Sequence, residues 1–170
     1  AIASNPAAPT FENTIVALER SGRLLDRAAT VFFNLVGADT NDTRQQIQAD
    51  YAPKLSAHQD AILLNPELFS RVAKLYETRD ALELTAEAKR LIERYHTDFV
   101  RAGAELSDAD KTRLKEINSR LATLGTEFTQ NVLAEVNDSA VVVDDAAALA
   151  GLPAQAVAAA ADAAAGRDLE

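Results

Sequence analysis

The sequence predicts a mainly α fold: an antiparallel bundle of about five to six helices, with one short strand and an alanine-rich helix near the C-terminus. Three observations predict it. Apolar residues recur at three- and four-residue spacing over long stretches, the signature of a helix with one buried face. Those stretches open on Thr, Asn or Ser, residues whose side chains cap helix N-termini. Only one run, Ala140-Val141-Val142-Val143, has the β-branched character of a strand.

The elements follow in order. Asn5-Pro6-Ala7-Ala8-Pro9 is excluded from regular helix, because proline biases the residue before it towards extended geometry. Thr10 then caps a helix whose apolar stripe is Phe11, Ile15, Leu18, Leu25, Ala28, Phe32 and Leu35, weakened at Gly22 and stopped at Gly37. A second helix starts near Asn41, with Asp42 and Thr43 as rival caps, and runs to about Leu64, with Ile47, Tyr51, Leu55, Ile62 and Leu63 apolar and Pro53 expected to kink or divide it. Asn65-Pro66 opens a third, with a cap followed by proline at the first helical position. Its stripe is Leu68, Val72, Leu75 and Leu82.

Thr85 opens the fourth helix, with Leu91, Ile92, Tyr95 and Phe99 along it, and Gly103 closes it. Ser107 caps the fifth, with Asp108 and Asp110 in the first turn, where the helix dipole favours anions. There Leu114, Ile117, Leu121, Leu124, Phe128 and Val132 recur without a miss, so this helix is expected to be a pillar of the core. The character changes near Asn137-Asp138. The strand at Ala140–Val143 comes next, then an alanine-rich helix over roughly Pro153 to Ala165, ended by Gly166. A lone strand leaves its backbone groups unpaired, so its partner is a second strand within the chain or in sequence beyond it.

Composition narrows the function classes. The 170 residues carry a net charge of −9, which argues against nucleic-acid binding, where Lys and Arg must replace counterions. There is no cysteine, hence no disulfide and no thiolate metal site. No apolar run approaches a membrane span. The sequence also lacks methionine and begins Ala1-Ile2-Ala3, which suggests a processed or excised piece.

Little in the sequence points to chemistry. Glu93 and His96 stand at the Glu-x-x-His spacing that four-helix di-iron proteins use, but such a site needs two of these motifs and two further glutamates. The chain has only two histidines, and His58 is preceded at the matching position by Leu55. There is no His-Glu-x-x-His, no Walker loop and no Gly-x-Gly-x-x-Gly. Ser56 and His58 are two apart, which on a helix separates their side chains. Asp144-Asp145 reads as a turn or helix cap rather than a cation site. Asn41-Asp42-Thr43 and Asn137-Asp138-Ser139 match the glycosylation pattern, a short one that carries little weight. Tyr51, Tyr76 and Tyr95 fall on or beside helical stripes and read as packing residues. No catalytic, cofactor-binding or metal-binding residue is therefore assigned within the chain.

Three stretches carry a family resemblance. "NPAAPTFENTIVALERSGRLL" (Asn5 to Leu25) resembles the N-terminal region of the M3 family of zinc metallopeptidases. "YHTDFVRAGAELSDADKTRLKEINSRLATLGTEFTQNVL" (Tyr95 to Leu133) is similar to a segment of that family that joins two helices through an Ala-Gly-Ala-x-Leu turn. "AVVVDDAAALAGLPAQAVAAAADAA" (Ala140 to Ala164) is similar to the stretch that follows it. The likeness is greater to the bacterial peptidyl-dipeptidases of the family than to its oligopeptidase A branch.

The resemblance implies a helical, two-lobed parent enzyme with a deep channel. Zinc would be held by a His-Glu-x-x-His motif and a later glutamate, and dipeptides would be released from the C-termini of short peptides. That motif is absent here, so no catalytic or metal residue carries over, and the chain alone is expected to be inactive. Residues 1–138 would be the helical lobe covering the channel and selecting substrate by size. Residues 139–170 would begin the following subdomain, truncated. The remainder of the polypeptide would pack on this region, and the parent is expected to be a cytoplasmic monomer, with the periplasm as the alternative location. The competing reading is a stand-alone helical interaction or ligand-sensing module, which needs no catalytic residue.

Overall fold

Thr10 ends the proline-bounded arm with a reciprocal cap. Its hydroxyl accepts from the Asn13 N–H at 3.1 Å, and its own N–H donates to the Asn13 side-chain oxygen at 2.9 Å. The structure, a computed structural model, describes residues 1–167. The first turns, Phe11–Val16, are wound as a π-helix and continue as α1, Ala17–Arg20. The chain then breaks. Gly22 takes the left-handed conformation (φ 74°), open to glycine because it has no Cβ, and α2 restarts over Arg23–Ala38. The single stripe expected from Phe11 to Leu35 is thus shared between two helices.

Sequence caps set the remaining boundaries. Asn41 accepts from the Arg44 N–H at 3.0 Å and opens α3, Asp42–Leu63, which Pro53 does not divide. Asn65 accepts from the Leu68 N–H at 2.9 Å, with Pro66 first in α4, Pro66–Thr78. A 3₁₀ turn at Arg79–Ala81 leads to α5, Ala86–Arg101, capped by Thr85. Gly103 (φ 101°) turns the chain, and α6 runs over Asp108–Asp138. The mainly α fold read from the sequence is the fold observed.

The chain divides into two compact units, Ala1–Gln130 and Asn131–Glu170. In the first, the core is Ile15 with Leu68, Val72 and Leu75 of α4, Ile92 and Phe99 of α5, and Ala104. Each large side chain buried there contributes about 1.5–3 kcal/mol of transfer free energy, most of it offset by lost conformational entropy. Helices α4 and α5 run antiparallel: Phe69 meets Phe99, Tyr76 meets His96 and Arg79 meets Glu93, so positions advance along one helix as they retreat along the other. Helices α3 and α6 are antiparallel by the same reasoning. Asp60 accepts from the Asn118 side-chain amide at 2.7 Å, and the Gln130 amide donates to the Gln45 carbonyl at 3.0 Å.

Two expectations are corrected. The stripe of α6 is not the pillar of this core: Leu121 is 59% exposed and Phe128 70%, with Ile117 and Leu124 also exposed. Periodicity marks a face that can be buried, but burial needs an opposing surface, and α3 meets α6 without covering Ile117, Leu121, Leu124 or Phe128. In the second unit, Ala140–Val143 is not a strand. A strand is defined by its ladder, and no second segment among the described residues pairs with this one. The alanine-rich helix is present as α7, Ala154–Ala165, with Gly166 at its end. Among the described residues no helix is long and apolar enough to cross a membrane.

Candidate functional site

The Glu-x-x-His pair, Glu93 and His96, lies on α5 where it faces the end of α4. The Glu93 carboxylate is already engaged. Arg90 donates to one oxygen at 2.8 Å and Arg79 to the other at 3.2 Å. These guanidiniums, Arg90 first and then Arg79, hold its carboxyl below the usual carboxylate range by charge-assisted hydrogen bonding.

His96 is taken up by packing. Its ring lies flat on Tyr76, centroids 3.9 Å apart and planes within 9°, and it reaches Phe69 at 5.8 Å. The Arg79 guanidinium covers Tyr76 at 4.2 Å and donates to its carbonyl at 2.7 Å. The arrangement is a stacked column with an ion-paired rim. A metal ligand needs a free lone pair aimed at an open position, and the carboxylate here is spent on two cations.

The other sequence candidates are dispersed. His58 is exposed on α3. Asp145 caps the 3₁₀ turn Ala146–Leu149 by accepting from the Ala147 N–H at 2.8 Å, the capping role expected for the acidic pair. Tyr51 is half exposed under the Lys54 ammonium. Tyr95 donates its hydroxyl to Glu19 at 2.7 Å, and burial, then that carboxylate, pushes its pKa up. The residues present do not fit the zinc that the family resemblance implies. Among the described residues no group of three or more His, Cys, Asp or Glu converges on one point.

Sequence reading passed over Arg71. It is 7% exposed on α4, and its guanidinium ties the proline-bounded arm to the core through the Asn5 and Ala7 carbonyls and the Asn13 side chain. The signal available was an arginine in the apolar stretch Leu68 to Leu75, one residue from Val72. A cleft of about 420 Å³ follows the same arm, lined by Pro9, Phe11, Lys74, Leu75, Leu82 and Leu84. Thr10, Glu12, Thr78 and Glu83 add polar groups to its apolar lining.

Comparison with known proteins supplies what local chemistry does not. No family model matches the chain. It is 45% identical over all 170 of its residues to dipeptidyl carboxypeptidase of Escherichia coli, and 44% to that of Salmonella typhimurium. It is 27% identical, over 89% of its length, to oligopeptidase A of Haemophilus influenzae. The chain spans about a quarter of the length of these curated relatives, 25% of each dipeptidyl carboxypeptidase and 22% of the oligopeptidase. The similarity to the dipeptidyl carboxypeptidases therefore runs along the whole chain and not only through the three sequence blocks.

Proposed function

We propose that this chain is the N-terminal helical part of a zinc metallopeptidase that releases dipeptides from the C-termini of short peptides. The observation that carries the reading is the 45% identity along the full 170 residues to a dipeptidyl carboxypeptidase. Residues 1–138 form the lobe that covers the channel of the longer enzyme and admits only short, unfolded peptides. Residues 139–170 open the next subdomain. The exposed apolar faces of α2 and α6, with Leu24, Val31, Leu121 and Phe128 in water, support a role as a wall on which further protein packs. The zinc and the groups that activate water lie in the rest of the polypeptide, so these 170 residues alone are inert. The parent works as a cytoplasmic monomer.

The test is the native protein, captured through this segment. A chain roughly four times this length, as the 25% coverage of the relatives requires, with about one zinc per chain, is the expected result. It should cut dipeptides from peptides with a free C-terminus, spare C-terminally amidated ones, and lose activity to a chelator. A metal-free native chain of about this length overturns the reading. So does chelator-sensitive peptide cleavage by the purified 170 residues.

A further inference from the structure

We propose that Ala140–Val143 is a strand edge built to pair with a second extended segment of alternating apolar residues, supplied by the part of the longer polypeptide outside this sequence. The inference rests on the proposed reading in one respect only: that the native chain is longer.

Three observations within the second unit carry it. The backbone groups of residues 140–143 make no hydrogen bond among the described residues, although they directly follow the last turn of α6 and precede a capped 3₁₀ turn. The side chains are β-branched and in water, with Val141 87% exposed, Val142 54% and Val143 42%. Beside them opens a cleft of about 850 Å³, floored by Leu149 and by Val157, Ala160 and Ala164 of α7. A single exposed valine is ordinary; three in succession along an apolar cleft form one half of an unfinished layer.

The chemistry of the gap identifies its occupant. Unpaired N–H and C=O groups in a row are satisfied by another extended backbone, whereas a helix has spent its own on itself. Once the run is extended, Val141 and Val143 share one face and Ala140 and Val142 the other, so a partner must alternate its apolar residues to match. Asp144-Asp145 ends the run with charge, which limits the pairing to four residues and blunts it against strangers. Small side chains on α7 let a two-stranded ribbon approach that helix closely. A segment of the same polypeptide also has the advantage of high effective concentration over a free peptide or a second copy. The relatives have the length to supply it, since this chain covers 25% of theirs.

Hydrogen exchange on the full-length native protein tests the pairing. Either the Val142 amide or those of Val141 and Val143 should exchange at least about tenfold more slowly than in an unstructured peptide of the same sequence. Only alternate residues of an edge donate to the partner, so Val142→Pro and Val143→Pro are made separately. One of the two should abolish the protection while the amides of α6 keep theirs. Unprotected amides in the wild type overturn the proposal, as does a native chain no longer than this one. Protection that rises with protein concentration assigns the partner to a second copy and also overturns it. Zinc content and peptidase activity are read on the same sample. Protected amides without either would leave the strand standing and sink the peptidase reading; both present over unprotected amides would do the reverse.

Discussion

The Arg71 guanidinium donates to the Asn13 side-chain oxygen at 2.7 Å, joining α4 to the capping box that starts the first helix. Its other nitrogen donates to the Asn5 and Ala7 carbonyls, both at 2.9 Å. A buried cation is thus solvated by carbonyl oxygens in place of water, and the proline-bounded arm is fastened at three points. Arg71→Met should cost about 1.5–3 kcal/mol, the range for hydrogen bonds to charged groups. Arg71→Lys should recover part of that, because an ammonium cannot reproduce the planar fork. Urea midpoints of the three proteins check the order.

Glu93 gives a pH signature. Its folded pKa is depressed by Arg90 and Arg79, so the stability it contributes is present above its unfolded pKa and is lost as pH falls through the folded value. Glu93→Gln should therefore be less stable than the wild type at neutral pH, and the gap should close on the acid side of the carboxylate range. Paired denaturation curves between neutral pH and acid measure it. Under the proposed reading, the same variant of the longer native protein should keep its full zinc content.

Two glycines should respond in opposite directions. At Gly103 (φ 101°) a Cβ would lie 2.8 Å from the Leu106 Cδ1 atom and 2.9 Å from the Leu114 Cδ2 atom. Gly103→Ala combines left-handed strain with overlap and should cost about 1–3 kcal/mol. Gly125 lies inside α6 with nothing within 4 Å of its would-be Cβ, so Gly125→Ala should stabilise by about 0.5–1 kcal/mol. Thermal midpoints of this chain separate the two.

Burial rather than periodicity should rank the aromatic residues. Phe99, 1% exposed, should cost about 3–5 kcal/mol when cut to alanine. Phe128, 70% exposed, should change the stability of this chain by less than about 0.5 kcal/mol on Phe128→Ser. The second variant should also bind less of a hydrophobic dye. In the native enzyme the Phe128 change should become costly, because the proposed reading covers that face.

Much of the fold was legible because it is written locally. Thr10, Asn65, Thr85 and Ser107 each cap the helix that they were expected to open, and Asn41 does so over its rivals Asp42 and Thr43, since a cap is a contact between residues three apart. The stripes of α4 and α5 were legible too, because their partners lie within the same stretch of chain. The stripe of α6 misled for the opposite reason: its pattern is as regular as theirs, but nothing among the described residues covers Ile117, Leu121, Leu124 or Phe128. Glu93 and His96 show the same division. Spacing put them on one face, but whether that face held a metal, a stack or water depended on Tyr76, Arg79 and Arg90.

By itself, then, the sequence determined most of the helices and their N-terminal caps, the acidic character and the likeness to the dipeptidyl carboxypeptidases. All of these are properties of residue type and near neighbours. The tertiary structure decided which stripes are core, where the first helix breaks, that Glu93 is ion-paired and His96 stacked, and that Ala140–Val143 stands unpaired among the described residues. Those outcomes depend on what a face meets after the chain has turned back on itself. Periodicity prepares such a meeting, but only packing decides whether it takes place.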